Sequence, residues 1–163
     1  MVIDELIERA QAASVSFNNG NLPAPPARRV AIVTCMDARI DVHAIFGLQP
    51  GDAHVIRNAG GAVTDDAIRS LAISQRLLGT EEIMVMHHTE CGMMGFRGED
   101  FARQLQDETG IRPGWAVETF TDVESDVRQS LARIHASPFL GRKDAVRGFV
   151  YDVRTGRVDE VRP

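Results

Sequence analysis

An α/β fold with a mostly parallel central sheet flanked by helices is predicted by three features of the sequence. Short apolar, β-branched runs recur at Arg29–Met36, Ala53–Arg57, Glu82–His88 and Ala145–Val153. Amphipathic segments with helix-start signals separate several of them. An Arg154-Thr155-Gly156 turn then leads into a last short run, Arg157–Val161. Strands alternating with helices pair in parallel through right-handed crossovers, and a closing hairpin adds an antiparallel edge.

Taken in order, Ile3, Leu6, Ile7, Ala10, Ala13, Ser14 and Phe17 recur at three- and four-residue spacing, which predicts a helix over 1–17. Asn19-Gly20 and the prolines Pro23, Pro25 and Pro26 force an irregular connection over 18–28. An amphipathic helix ahead of such a loop can embrace a second subunit. Residues 29–163 form the α/β core of a single domain. Within it Arg29–Met36 reads as a buried parallel strand. Asp41 caps a short helix to about Leu48, which Pro50-Gly51 ends. After the strand Ala53–Arg57, Thr64 caps a helix with Asp65 and Asp66 in its positive first turn, and Gly79 stops it. Glu82–His88 is the third strand, and Glu99–Glu108 reads as helix. Thr121–Ala136 is a longer helix, capped by Thr121 or Asp122, with Val123, Val127, Leu131 and Ile134 on one stripe, ended by Ser137-Pro138.

The 163 residues suffice for one good-sized core, and 44% hydrophobic with 25% charged residues is an ordinary globular composition. Net charge is −5, with Lys and Arg scattered, so no basic face invites nucleic acid or an anionic membrane. No apolar run is long enough to span a bilayer, and Met1-Val2-Ile3-Asp4-Glu5 lacks a signal-peptide start. The expected location is cytoplasmic. In a reducing compartment, two cysteines near histidines read as metal ligands or redox groups rather than a disulfide.

Cys35 ends the first strand. His88 ends the third, with Cys91 three residues on. Ligands in such sheets bind beyond the carboxyl ends of the strands. If these two strands are neighbours, all three side chains converge there. Two thiolates and an imidazole suit tetrahedral zinc, and three protein ligands leave an open, catalytic position. Singly, each cysteine reads better as a small buried apolar residue. Asp37 and Arg39 follow Cys35 where strand becomes loop; a solvated surface pair is the plain reading, a carboxylate serving a metal-bound water the functional one. Gly60, Gly61 and Gly92 can bring backbone N–H groups close to an anionic oxygen, or simply make turns.

Cys35-x-Asp37-x-Arg39, Arg57-Asn58-Ala59-Gly60 and His88-x-x-Cys91-Gly92 follow one another with the order and spacing of β-carbonic anhydrases, which the sequence resembles, in particular a compact bacterial branch. The resemblance implies one zinc per subunit on Cys35, His88 and Cys91, with Asp37 and Arg39 as catalytic dyad. The implied reaction is reversible hydration of carbon dioxide to bicarbonate and a proton by a zinc-bound hydroxide, with Gly60 and Gly92 as candidate substrate contacts. It also implies a homodimer or dimer of dimers, with the N-terminal helix lying across the partner. Asp37 is a candidate fourth zinc ligand, closing the site. Ala38 stands where many relatives carry Ser, and Glu90, between the ligands, is expected to matter little. No glutamine, Gln75 and Gln104 included, is assignable to the cleft. Hydrolysis of carbonyl sulfide or carbon disulfide at the same site is the enzymatic rival. A non-catalytic zinc or redox-sensing module is the rival of another class.

His87 precedes the ligand on the strand, so it faces the opposite way and reads as a packed or hydrogen-bonded core residue. His43 suits a surface position or a proton shuttle. His54 and His135 have no partner visible in the sequence.

Overall fold

The computed structural model describes residues 1–162. Five strands form one sheet in the order β2-β1-β3-β4-β5: β1 Val30–Cys35, β2 Ala53–Asn58, β3 Glu82–His88, β4 Val146–Tyr151 and β5 Val158–Val161. All neighbours pair in parallel except β4 with β5. The helices are α1 Val2–Ser14, α2 Val42–Phe46, α3 Asp65–Leu78, α4 Gly98–Thr109 and α5 Val123–Ala136, with 3₁₀ turns at Ala59–Gly61 and Gly92–Met94. The predicted α/β class, parallel sheet and antiparallel hairpin are all present.

The start and stop signals act as written. The Asp41, Thr64 and Asp122 side chains accept the N–H groups of Ala44, Ala67 and Ser125 at the starts of α2, α3 and α5. Gly79 ends α3 in the left-handed conformation. Several element ends shift slightly from expectation, and two helices stop early. Helix α2 stops at Phe46, before Pro50-Gly51, because Gly47 adopts φ +62° and donates its N–H to the His43 carbonyl. Helix α1 stops at Ser14, since Val15, Ser16 and Phe17 bond back only three residues.

Alternation along β1 and β3 separates two cores. Ala31, Val33, Ile83 and Val85 pack with Leu71 of α3 and with Val127, Leu131 and Ile134 of α5. Ile32 and Met86 face the other way, among Ile40, Val42 and Leu48. The first core has two long helices over it. The second has the five-residue α2, and Phe149, Tyr151 and Val158 at its margin remain half-exposed. Helix α1 buries none of its residues in its own subunit; Leu6 and Ile7 are 55% and 53% exposed. Among the described residues no helix is long and apolar enough to cross a membrane.

Close approach of α5 to β4 depends on Gly148. A Cβ there would lie 2.4 Å from Cγ1 of Val127 and 2.9 Å from Cδ1 of Leu131. Gly148→Ala should therefore overpack this contact and destabilise the protein by about 1–3 kcal/mol in chemical denaturation. Unchanged stability would mean that α5 does not seat on β4 as described.

Candidate metal centre

The β1–β3 pairing sets Thr34 opposite Met86, so Cys35 arrives beside the end of β3. There the chain leaves the sheet, and Glu90 turns it sharply with φ +56°, returning Cys91 to the same edge. The ligand atoms of Cys35, His88 and Cys91 all lie within 4.8 Å of one another, and all three residues are buried. The two sulfurs are free and 3.9 Å apart. A disulfide needs about 2.05 Å. Two sulfurs at about 2.3 Å from a tetrahedral zinc stand about 3.8 Å apart, close to what is seen.

His88 has no exposure, and its Nδ1 faces the Thr89 carbonyl at 2.9 Å. That contact requires the proton on Nδ1 and leaves the lone pair on Nε2. Among the described residues Nε2 has no hydrogen-bond partner. A buried, unpaired imidazole nitrogen beside two thiols costs about 1–3 kcal/mol unless something coordinates it. The donor set, the spacing and the orphaned nitrogen therefore fit a soft divalent metal such as zinc.

Electrostatics agree. Without a cation the two sulfurs share a hydrogen bond, and this is the chief cause that lowers the Cys35 thiol from its ordinary range. The N–H groups of Asp37 and Gly60 assist, against burial. The Cys91 thiol is pushed up by its bond to Cys35 and by burial. The site is thus built to hold at least one thiolate.

Asp37 and Arg39 form a two-pronged pair: Nε donates to Oδ1 at 2.9 Å and a terminal nitrogen to Oδ2 at 2.7 Å. The Arg39 side chain and backbone N–H hold the Asp37 carboxyl well below the usual carboxylate range. Oδ2 of Asp37 lies 3.8 Å from Nε2 of His88, at the open side of the cluster. The plain surface-pair reading therefore gives way to a pair that borders the cluster.

Residues beyond the predicted set hold this geometry. Arg57 donates to the carbonyls of Cys35 and Asp37, at 2.9 and 2.7 Å, and fixes the backbone between ligand and carboxylate. The motif named Arg57, but nothing in the sequence gave its bonds. Glu90 matters more than expected: its carbonyl accepts from Arg39 at 3.1 Å, and its carboxylate lies between Arg39 and Arg154. Gly60 turns its N–H to the Cys35 sulfur, while Gly92 is exposed and begins the second 3₁₀ turn. His43 is exposed on α2, and His54 bonds the Ser74 hydroxyl at 2.7 Å. Gln75 is buried against the 141–142 loop and Gln104 bonds Glu108, so neither reaches the cluster through these contacts.

A family model described as carbonic anhydrase matches residues 30–118, which contain every residue of the cluster and the pair. The chain is 60% identical over 144 residues to beta-carbonic anhydrase 1 of Mycobacterium tuberculosis, covering 88% of each chain. The chain belongs to the β-carbonic anhydrase family. A crystal structure of the carbonic anhydrase from Streptococcus mutans superposes with a TM-score of 0.92 at 45% identity, covering 99% of this chain and 98% of that one. A carbon disulfide hydrolase of Saccharolobus solfataricus is 45% identical over 106 residues, 65% of this chain and 50% of that protein. As a β-carbonic anhydrase the chain is an enzyme, and its Cys-His-Cys cluster fits a metal site.

The thiol chemistry can be checked directly. In metal-free protein at about pH 6, one thiolate equivalent should appear in the ultraviolet spectrum and disappear when either Cys35 or Cys91 is replaced by Ser. A spectrum without thiolate at that pH would contradict the shared-proton arrangement.

Proposed function

We propose that this protein hydrates carbon dioxide reversibly to bicarbonate and a proton, with zinc held by Cys35, His88 and Cys91. The observation that carries the reading is the buried Cys-His-Cys cluster bordered by the Asp37–Arg39 pair. When bound, zinc supplies the Lewis acidity that makes water a nucleophile near neutral pH. The chain's own residues do the rest. His88, turned by the Thr89 carbonyl, presents Nε2 in one orientation. Asp37, kept ionised by Arg39, offers Oδ2 at the open side as an acceptor for a proton from water. Arg57 keeps that carboxylate in register with Cys35. Gly60 and Gly92 are the proposed backbone donors to bicarbonate oxygens, the Gly60 N–H being shared with the Cys35 sulfur. Asp37 is also the proposed fourth ligand of a closed form, which would require both its bonds to Arg39 to break.

Asp37→Asn should keep full zinc content and lose roughly 10²-fold or more in carbon dioxide hydration measured by stopped flow. Zinc-loaded wild type without hydration from mildly acidic to alkaline pH would defeat the reading. Hydrolysis of carbon disulfide or carbonyl sulfide is the second reading, favoured by the Saccharolobus relative. Parallel turnover of the three linear substrates separates the two, and carbon dioxide is expected to dominate.

We further propose a homodimer, or a dimer of dimers, in which α1 lies across the partner. The support is the uncovered apolar face of α1 together with the half-exposed sheet face at Phe149, Tyr151 and Val158. Ile7→Glu should shift the sedimentation-equilibrium mass toward that of one chain; a wild-type mass already equal to one chain would overturn the proposal.

A further inference from the structure

His87 takes no part in the proposed chemistry, yet it has no exposure and lies one residue from a ligand. Alternation along β3 turns it away from the metal cluster, into the core under α5. Its Nε2 lies 3.2 Å from the Gly61 carbonyl and its Nδ1 3.0 Å from Oδ2 of Asp126 on α5. A carbonyl only accepts, so the ring donates from Nε2 to Gly61; Nδ1 of that tautomer has no proton to give and makes no hydrogen bond to Asp126. The Phe120 ring lies beside the imidazole, with centroids 6.0 Å apart.

The turn so held is packed against a ligand. Gly61 has φ +73°, and a Cβ on it would stand 2.9 Å from the backbone nitrogen of Cys35 and from the Thr34 carbonyl carbon. The neighbouring residue, Gly60, turns its N–H to the Cys35 sulfur. A thiolate that accepts N–H donors is a weaker electron donor and a better-fixed ligand.

We propose that His87 is a positioning residue of the metal centre: through the Gly61 carbonyl it fixes the Gly60–Gly61 turn against the backbone of Cys35, so that the Gly60 N–H meets the Cys35 sulfur. The proposal rests on the reading of Cys35 as a metal ligand.

The test uses the full chain carrying His87→Leu, His87→Gln or His87→Asn. Zinc affinity is measured by chelator competition, and the thiolate-to-metal charge-transfer band is recorded after cobalt(II) substitution. His87→Leu removes the donor, so zinc affinity should fall roughly 10–100-fold and the band should move to lower energy. His87→Gln can still donate to the Gly61 carbonyl and should recover most of both. His87→Asn keeps an amide donor but shortens its reach to the Gly61 carbonyl, so it should move both readouts in the same direction by a smaller factor; it decides the matter if His87→Leu does not fold. Wild-type affinity and band position in every variant that folds would overturn the positioning role while leaving the metal centre standing. A wild type that binds neither zinc nor cobalt would overturn the metal centre itself, and the inference with it.

Discussion

Thr34 lies opposite Met86 in the parallel β1–β3 pair, and its buried hydroxyl donates to the Met86 carbonyl at 2.7 Å. The centre depends on this register. It brings Cys35 to the end of β3 although 53 positions separate it from His88. A slip of one residue would exchange the faces of every side chain on the strand. Ile32 would leave one core, Val33 the other, and the sulfur would no longer meet the imidazole. The two cores on either side of β1 and β3 therefore stabilise the fold and also fix the site.

Around the ligands, nearly every polar contact restricts a position. Thr89 sets the tautomer of His88, Arg57 ties the carbonyls on either side of Met36, and Arg39 grips both oxygens of Asp37. Such contacts reduce the reorganisation left for a reaction. The remaining cost is concentrated at the buried Nε2 of His88 and at two sulfurs sharing one proton. A bound cation relieves both. Glu90 adds a second anion beside Arg39, so the guanidinium that holds Asp37 is itself held from the other side.

Much of this was legible in the sequence because local rules coincide with the final structure. Strand β3 follows Glu82–His88 without change, and Asp41, Thr64, Asp122 and Gly79 act as the caps that their residue types suggest. The convergence of Cys35, His88 and Cys91 was legible because strand ends in a parallel sheet share one edge. What escaped depends on distant pairing. Arg57 stood in a motif, but its bonds became visible only with β2 beside β1, and Glu90 looked incidental until its left-handed turn set it against Arg39. Gly47 ended α2 before the more conspicuous Pro50-Gly51 because the first residue able to take a positive φ closes the helix. His54 acquired Ser74 as a partner only through the packing of α3 on β2.

The central claim is that Cys35, His88 and Cys91 hold one metal with a position left for a light atom. Zinc K-edge X-ray absorption on the purified full chain tests it most directly. The account predicts two sulfurs at about 2.3 Å and two nitrogen or oxygen scatterers at about 2.0–2.1 Å. A zinc shell with four sulfurs or with none, or zinc-free protein carrying a Cys35–Cys91 disulfide, would contradict it.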